Sequence, residues 1–540
     1  MKKKKLIAII LTTVMMVSGC SQASKSTSTT EQAKTAAEEK LPEVLKITIA
    51  RPIFTKSPQG TAVQDEWKKE MEAYLGTTLD ITWEDTPWAD YNTKLATYMA
   101  AGDWADIFTV MDNDDQVSEF GSTDMLLNLN DYKDDSKNFR KYTDTSNEAL
   151  RVTSPDGGRY FFSDLNKSSY NGTQELIAAD VNTFEKENLK IPSTLTELYD
   201  TSKKLKELYP ASYPINSDHW HIINTMLNAY NTQNSIYYDG SKYQYGPLSE
   251  NFKKTLQYIN KLYSAKLLDP EFLTQTAETM YEKILNKKSF IDYTYGSFVD
   301  EKINRVSGYN AKYGDIPLFK ADEVGTTPWY TSDQKKGSTI DKFYKIVINA
   351  ETKYPATMVK MVDYQYSDKM INLLNWGIEG TTYKVVDGKN VFIDDIMNAP
   401  SRLDKLAEYG INASNSVRSG IQFAPQDRDV SAACYPAVPS YLDGNFSQNL
   451  SCWAYYDKID SLNMAKKRPT EPPIVFNSEE NEKKAAEMTP VQTYVNESID
   501  KFITGELSFD KWDEYLKEIK SMGDYESVLK IYNDKVGQLK

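Results

Sequence analysis

Between residues 45 and 111 the apolar residues switch period repeatedly, and that switching constrains the fold more than any other feature. Leu45-Lys46-Ile47-Thr48-Ile49-Ala50 alternates as a half-buried strand does. Val63, Trp67, Met71 and Tyr74/Leu75 then recur at helical spacing, from Thr61 to a stop at Gly76. Thr78 to Trp83 alternates again, and Trp88 to Ala101 sets Tyr91, Leu95, Tyr98 and Met99 on one helical face before Gly102. Ala105 to Met111 reads as a third strand. The order β-α-β-α-β predicts the start of an open parallel sheet. In such a sheet ligand sits beyond the carboxyl ends of the strands, here the loops 51–60, 84–88 and 112–116. Arg51, Trp88 and Asp112 are therefore the first-lobe candidates for contact with a solute. For Trp88 the rival reading is a hydrophobic staple at the helix start.

The middle of the chain keeps this style. Strands are expected at 174–179, 289–294 and 344–349, and helices at 180–188 and 194–208. Ser249 caps an amphipathic helix carrying Phe252, Leu256, Ile259 and Leu262/Tyr263, and the tail from Thr489 to Leu539 is helical. The folded part, about 500 residues, is too long for one core. No internal repeat and no compositional linker divides it. Two interleaved lobes joined by crossing strands are expected. The net charge of -14 disfavours nucleic acid, whose phosphates need a basic face.

The leader narrows the location. Met1-Lys2-Lys3-Lys4-Lys5 is cationic, Leu6 to Val17 is almost wholly apolar, and Ser18-Gly19-Cys20 closes the segment. This is the form of a secretory signal, and the run is shorter than the roughly 20 residues that span a bilayer. Cys20 after small residues resembles the lipobox of bacterial lipoproteins, in which that cysteine is diacylated; an ordinary signal peptide with a chance cysteine is the alternative. Ser21 to Lys40 has no aromatic residue and no apolar periodicity, so it reads as a flexible tether. Cys434 and Cys452 are the other cysteines, either a disulfide pair or two buried thiols.

Further motifs carry a likeness. Leu95 to Ile107 contains Ala101-Gly102-Asp103-Trp104-Ala105-Asp106-Ile107, and Pro192-Ser193-Thr194 leads to Glu197-Leu198. Leu262-Tyr263 precedes Leu267-Leu268-Asp269-Pro270-Glu271, and Gly377-Ile378-Glu379-Gly380 precedes Tyr383 and Asp387-Gly388. Phe502-Ile503-Thr504-Gly505-Glu506-Leu507 is followed by Trp512 and Tyr515. In this order, behind a lipobox, the chain resembles the extracellular solute-binding lipoproteins of bacterial carbohydrate ABC importers, family 1, of the large Gram-positive type. Ala179-Asp180-Val181-Asn182 departs from the Arg-Asp-Trp-Leu run frequent in that family.

The resemblance implies an α/β, two-lobed periplasmic-binding type II fold with a hinge and an interlobe ligand cleft. On that basis residues 1–20 are the lipoprotein signal and 21–44 the tether. The first lobe is expected over 45–166 and 341–395, and the second over 167–340 and 396–540. The resemblance further implies a monomer held on the outer face of the cell membrane through Cys20, which binds a carbohydrate and passes it intact to permease subunits embedded in the membrane.

The aromatic share is 12%, with 37 Tyr, 19 Phe and 9 Trp, and ring faces suit pyranose C–H surfaces. Trp220, Trp329, Trp376 and Trp453 lie outside obvious helix-core positions, so with Glu379 they join the site candidates. Core packing is the alternative for each, and for Glu379 a tight turn built by the flanking glycines. His219 and His221, in a loop-like stretch after Pro214, lack a third metal ligand in sequence. No metal or cofactor is expected, and the missing Gly-x-Ser-x-Gly, Walker and His-Glu-x-x-His motifs speak against an enzyme. The competing classes are an exported glycoside hydrolase, which needs two carboxyl groups in one cleft, and a peptide- or signal-binding lipoprotein of the same fold.

Overall fold

Strand β1 (Val44–Ile53) buries Leu45, Ile47 and Ile49 on one face, as its alternation predicts. It pairs in parallel along its whole length with β2 (Thr78–Pro87) and at Ile49 and Ala50 with β3 (Ile107–Phe108). The intervening helix Ala62–Leu75 is capped by the Thr61 side chain, buries Val63, Trp67 and Met71, and ends at Gly76 with φ 70°. The next, Trp88–Ala101, buries Tyr91 and Leu95 and ends at Gly102. The third strand is shorter than the expected 105–111.

The computed structural model describes residues 39–53, 56–102, 104–111, 114–165, 175–295, 299–304, 306, 312–330, 340–411, 430, 433–434, 437–442, 444, 446, 448–450 and 452–539. Cys20 and Asp112 lie outside them.

Two further strands complete the first sheet, β4 (Phe162–Leu165) and β11 (Ile340–Ile348); its order is β2-β1-β3-β11-β4. The second sheet collects β5 (Glu175–Asp180), β6 (Ile215–Asn216), β9 (Ile291–Tyr295), β10 (Tyr313–Ile316), β14 (Val438–Ser440) and β15 (Gln448–Leu450), in the order β15-β14-β10-β5-β9-β6. Two hairpins stand apart, β7 (Ile236–Tyr238) with β8 (Tyr243–Tyr245) and β12 (Tyr383–Val386) with β13 (Lys389–Phe392). Strand β11 (Ile340–Ile348) lies between β3 and β4 and is antiparallel to both. The first sheet is therefore mixed rather than wholly parallel. The chain re-enters it from the second sheet instead of through a crossover helix on the same sheet.

Each sheet has its own core. The first gathers residues from Leu45 to Leu165 and from Ile340 to Cys434, among them Trp67, Phe108, Phe162 and Trp376. It includes Ile396, Leu406, Ile411 and Val430, beyond the residue 395 at which the sequence reading returns the chain to the second lobe. The second core runs from Ile177 to Tyr330 and from Leu442 to Ile519. There the helix Glu250–Ser264, capped by Ser249, packs its Phe252, Leu256, Ile259 and Leu262 stripe on the long helix Ser478–Thr504. Helices Trp512–Met522 and Tyr525–Gln538 complete the tail.

Candidate ligand cleft

The chain leaves the first sheet at Leu165 and enters the second at Glu175, so those residues mark the facing ends of the two sheets. In the first sheet Leu165 pairs with Ile340 at the start of β11, which sets the carboxyl ends of β1, β2 and β3 on that side. In the second, Glu175 pairs with Tyr295, so the carboxyl ends of β9 and of its parallel neighbour β6 lie there too. Both sheets thus present strand carboxyl ends to the crossing, where open α/β sheets hold ligand.

At the first rim stands Arg51, fully buried and opposite Asp85 in register. Its Nε donates to Asp85 Oδ1 at 2.6 Å, one Nη donates to Gln64 Oε1 at 3.4 Å, and the guanidinium lies 3.7 Å over the Trp83 ring. Burial opposes the Asp85 charge, but Arg51, with the Gln59 amide and Ser57 hydroxyl, holds its carboxyl below the usual carboxylate range. Burial pulls the Arg51 pKa down, offset in part by Asp85. Trp88 opens its helix half-buried, packed against the first core.

At the second rim the expected loop around the histidines is a helix, His219–Ala229. The Asp218 side chain caps it, accepting from the His221 N–H at 2.9 Å and meeting His221 Nδ1 at 2.6 Å. Ser217-Asp218 is the helix-start signal that the sequence reading passed over. Trp220 is 50% exposed and meets His221 edge-on at 4.9 Å. His219 Nε2 lies 2.7 Å from Asp500 Oδ1. Among the described residues no cluster of three or more His, Cys, Asp or Glu side chains is arranged for a metal.

The remaining candidates fall elsewhere. Trp329 is buried beside Tyr237, its ring 5.7 Å away. Trp376 is buried against Phe392 at 4.8 Å. Glu379 is exposed in the turn between Gly377 and Gly380, both with positive φ. Trp453 lies on the helix Cys452–Ser461, and its side chain is outside the described residues.

A groove of about 300 Å³ opens between the two halves, and among the described residues none of these candidates lines it. Ser118, Arg151, Ser154 and Phe161 come from the first; Tyr243, Phe476, Lys484 and Tyr532 come from the second. Arg151 ties the halves together, one Nη donating to the Glu471 carbonyl at 3.0 Å. These residues come from separate stretches of the chain and share no motif, so sequence spacing gives no signal for them.

Residues 57–371 match the family model described as bacterial extracellular solute-binding protein. The polygalacturonan/rhamnogalacturonan-binding protein YtcQ of Bacillus subtilis strain 168 is 23% identical over 339 residues, which are 60% of this chain and 65% of YtcQ. The match thus spans under two thirds of that relative's length. Among solved structures, the alginate-binding protein AlgQ2, determined without calcium ion, superposes with a TM-score of 0.70 at 18% identity, covering 91% of this chain and 98% of that one. FusA, an ABC-transporter substrate-binding protein of S. pneumoniae in complex with kestose, gives 0.70 at 18% identity, with 92% and 100% covered. The fold is that of the type II periplasmic binding proteins. Among the described residues no helix is long and apolar enough to cross a membrane.

Proposed function

Because the chain belongs to the bacterial extracellular solute-binding proteins, we propose that it is a carbohydrate receptor which closes two lobes on an oligosaccharide and hands it intact to an ABC permease. One observation carries this reading: a single groove takes side chains from both halves of the molecule and is walled by the rings of Phe161, Tyr243, Phe476 and Tyr532. A solute seated there touches both lobes at once, so its binding energy favours the closed arrangement, the only requirement for a hinged receptor. The names of the relatives point to saccharides. We read the first lobe as 45–165 with 340–434 and the second as 175–330 with 438–539, because the two cores divide there. Trp220 adds an exposed ring at the second rim, a platform for a sugar face.

The receptor acts as a monomer tethered through an acylated Cys20, with no chemistry performed on its cargo. The test is incubation of the full chain with a panel of oligosaccharides, followed by thermal melting and chromatography of the sugars. A raised melting temperature with unchanged sugars supports the receptor. Shortened sugars establish a hydrolase instead, and stabilisation by peptides alone establishes a peptide receptor. Acylation is read by mass spectrometry of the mature N-terminus, and release of a Cys20→Ser variant into the medium is the expected outcome.

A further inference from the structure

Two cations and one acid, Glu471, line the interlobe groove, the cations coming from opposite halves of a chain whose net charge is -14. Arg151 ends the helix Ser146–Arg151 in the first half; Lys484 lies in the first turns of Ser478–Thr504 in the second. We propose that the groove is a subsite for an acidic sugar, whose carboxylate sits between Arg151 and Lys484. The proposal rests on the receptor reading above and names its substrate class: uronate-containing oligosaccharides.

The geometry suits that ligand. Arg151 Nε lies 3.8 Å from Glu148 Oε1, and one Nη is held by the Glu471 carbonyl, so the guanidinium is oriented before ligand arrives. A pre-set planar fork is the group that recognises a carboxylate with two parallel hydrogen bonds. Lys484 Nζ is 3.2 Å from Asn481 Oδ1 and 5.1 Å above the Phe476 ring centroid. Its charge therefore stands beside an apolar face, where a sugar carrying both a carboxylate and a C–H surface finds both partners. The rings continue from Phe476 to Tyr532 at 4.7 Å and from Tyr532 to Tyr243 at 4.8 Å. Across from them Ser118 Oγ and Ser154 Oγ, 3.4 Å apart, offer hydroxyls to the sugar's own. A volume of about 300 Å³ is at the small end of ligand sites, enough for a short saccharide stretch and not for a folded partner. In a protein this acidic, anions are repelled at long range, so selection for one needs local cations of this kind.

The experiment compares trigalacturonate with its fully methyl-esterified form by calorimetric titration of the full chain at two salt concentrations. The sugar backbone is the same and only the charge differs. The acid is expected to bind at least tenfold tighter than the ester, with that margin narrowing as salt rises. Arg151→Gln and Lys484→Met each lower acid affinity about tenfold more than they lower ester affinity, so that the acid-to-ester preference shrinks. Arg151→Lys restores part of the loss. Lys484→Met changes a helix-surface residue, so it remains informative should the Arg151 variants fold poorly. Equal binding of acid and ester overturns the subsite while the receptor reading stands. A preference for acid that survives both substitutions also overturns it, since the carboxylate is then held elsewhere. If no saccharide of any kind binds, both readings fall.

Discussion

Arg51 and Asp85 occupy paired positions on adjacent parallel strands and meet at 2.6 Å, with the guanidinium pressed over the Trp83 ring. Their side chains are 0% and 10% exposed, so the charge of the arginine is met within the protein. It locks the carboxyl ends of β1 and β2 and so shapes the first rim indirectly.

Removing the acid strands a buried guanidinium. Asp85→Asn should destabilise the protein by about 3 kcal/mol, read as a lower urea midpoint with an unchanged slope. The Asp85 pKa is depressed in the fold, so its contribution is complete above the unfolded value of about 3.9 and is lost as pH falls through the folded one. The gap between wild type and Asp85→Asn should be flat from pH 8 to 5 and close below about pH 4.

Gly377 has φ 81°, and a Cβ there would collide with Thr382 Oγ1 and come within 2.8 Å of Ile411 Cδ1. That threonine hydroxyl donates to the Trp376 carbonyl at 2.6 Å and accepts from the Ile378 N–H at 2.7 Å, so it cannot move aside. Gly377→Ala should cost about 3 kcal/mol. Glu379→Ala in the same turn should change stability by less than about 0.5 kcal/mol, its side chain being exposed. Thermal melts of the two variants check both values.

Trp220 and Trp376 should separate binding from folding. Trp220→Ala removes an exposed ring and should lower saccharide affinity about tenfold, equivalent to about 1.4 kcal/mol, with little change in melting temperature. Trp376→Ala empties a buried position beside Phe392 and should cost about 3–5 kcal/mol of stability. Paired calorimetry and melting of each variant decide the matter.

Asp218 sets the position of Trp220 by capping its helix. Asp218→Ala should lose about 1 kcal/mol of stability and also the His221 contact, blunting saccharide binding through Trp220. Asp218→Asn keeps a cap and should recover most of the stability.

The first sheet was legible because its signals are local. Thr61 and Gly76 bracket one helix, Gly102 ends the next, and alternation marks β1 and β2. The direction of β11 was not, since nothing within 340–348 records which strands will receive it. The helix at His219 was missed because an aromatic-histidine triplet after Pro214 hides its capping aspartate. Tryptophan content did not separate core from cleft: Trp329 and Trp376 are both buried. The groove residues were illegible for a different reason. Ser118 and Lys484 become neighbours through the packing of two halves, which no window of sequence samples.

Strand β11 sits between β3 and β4 although four of the six strands of the second sheet are made before it. A ribosome that has delivered residues up to 339 has produced four of the five strands of that first sheet, and a gap where the fifth belongs. Closing so long a loop is entropically expensive and slow, which keeps the nascent chain loose until its middle has emerged. Neither half of this protein is therefore a contiguous gene fragment, and severing the chain after Leu165 yields a piece that cannot complete itself.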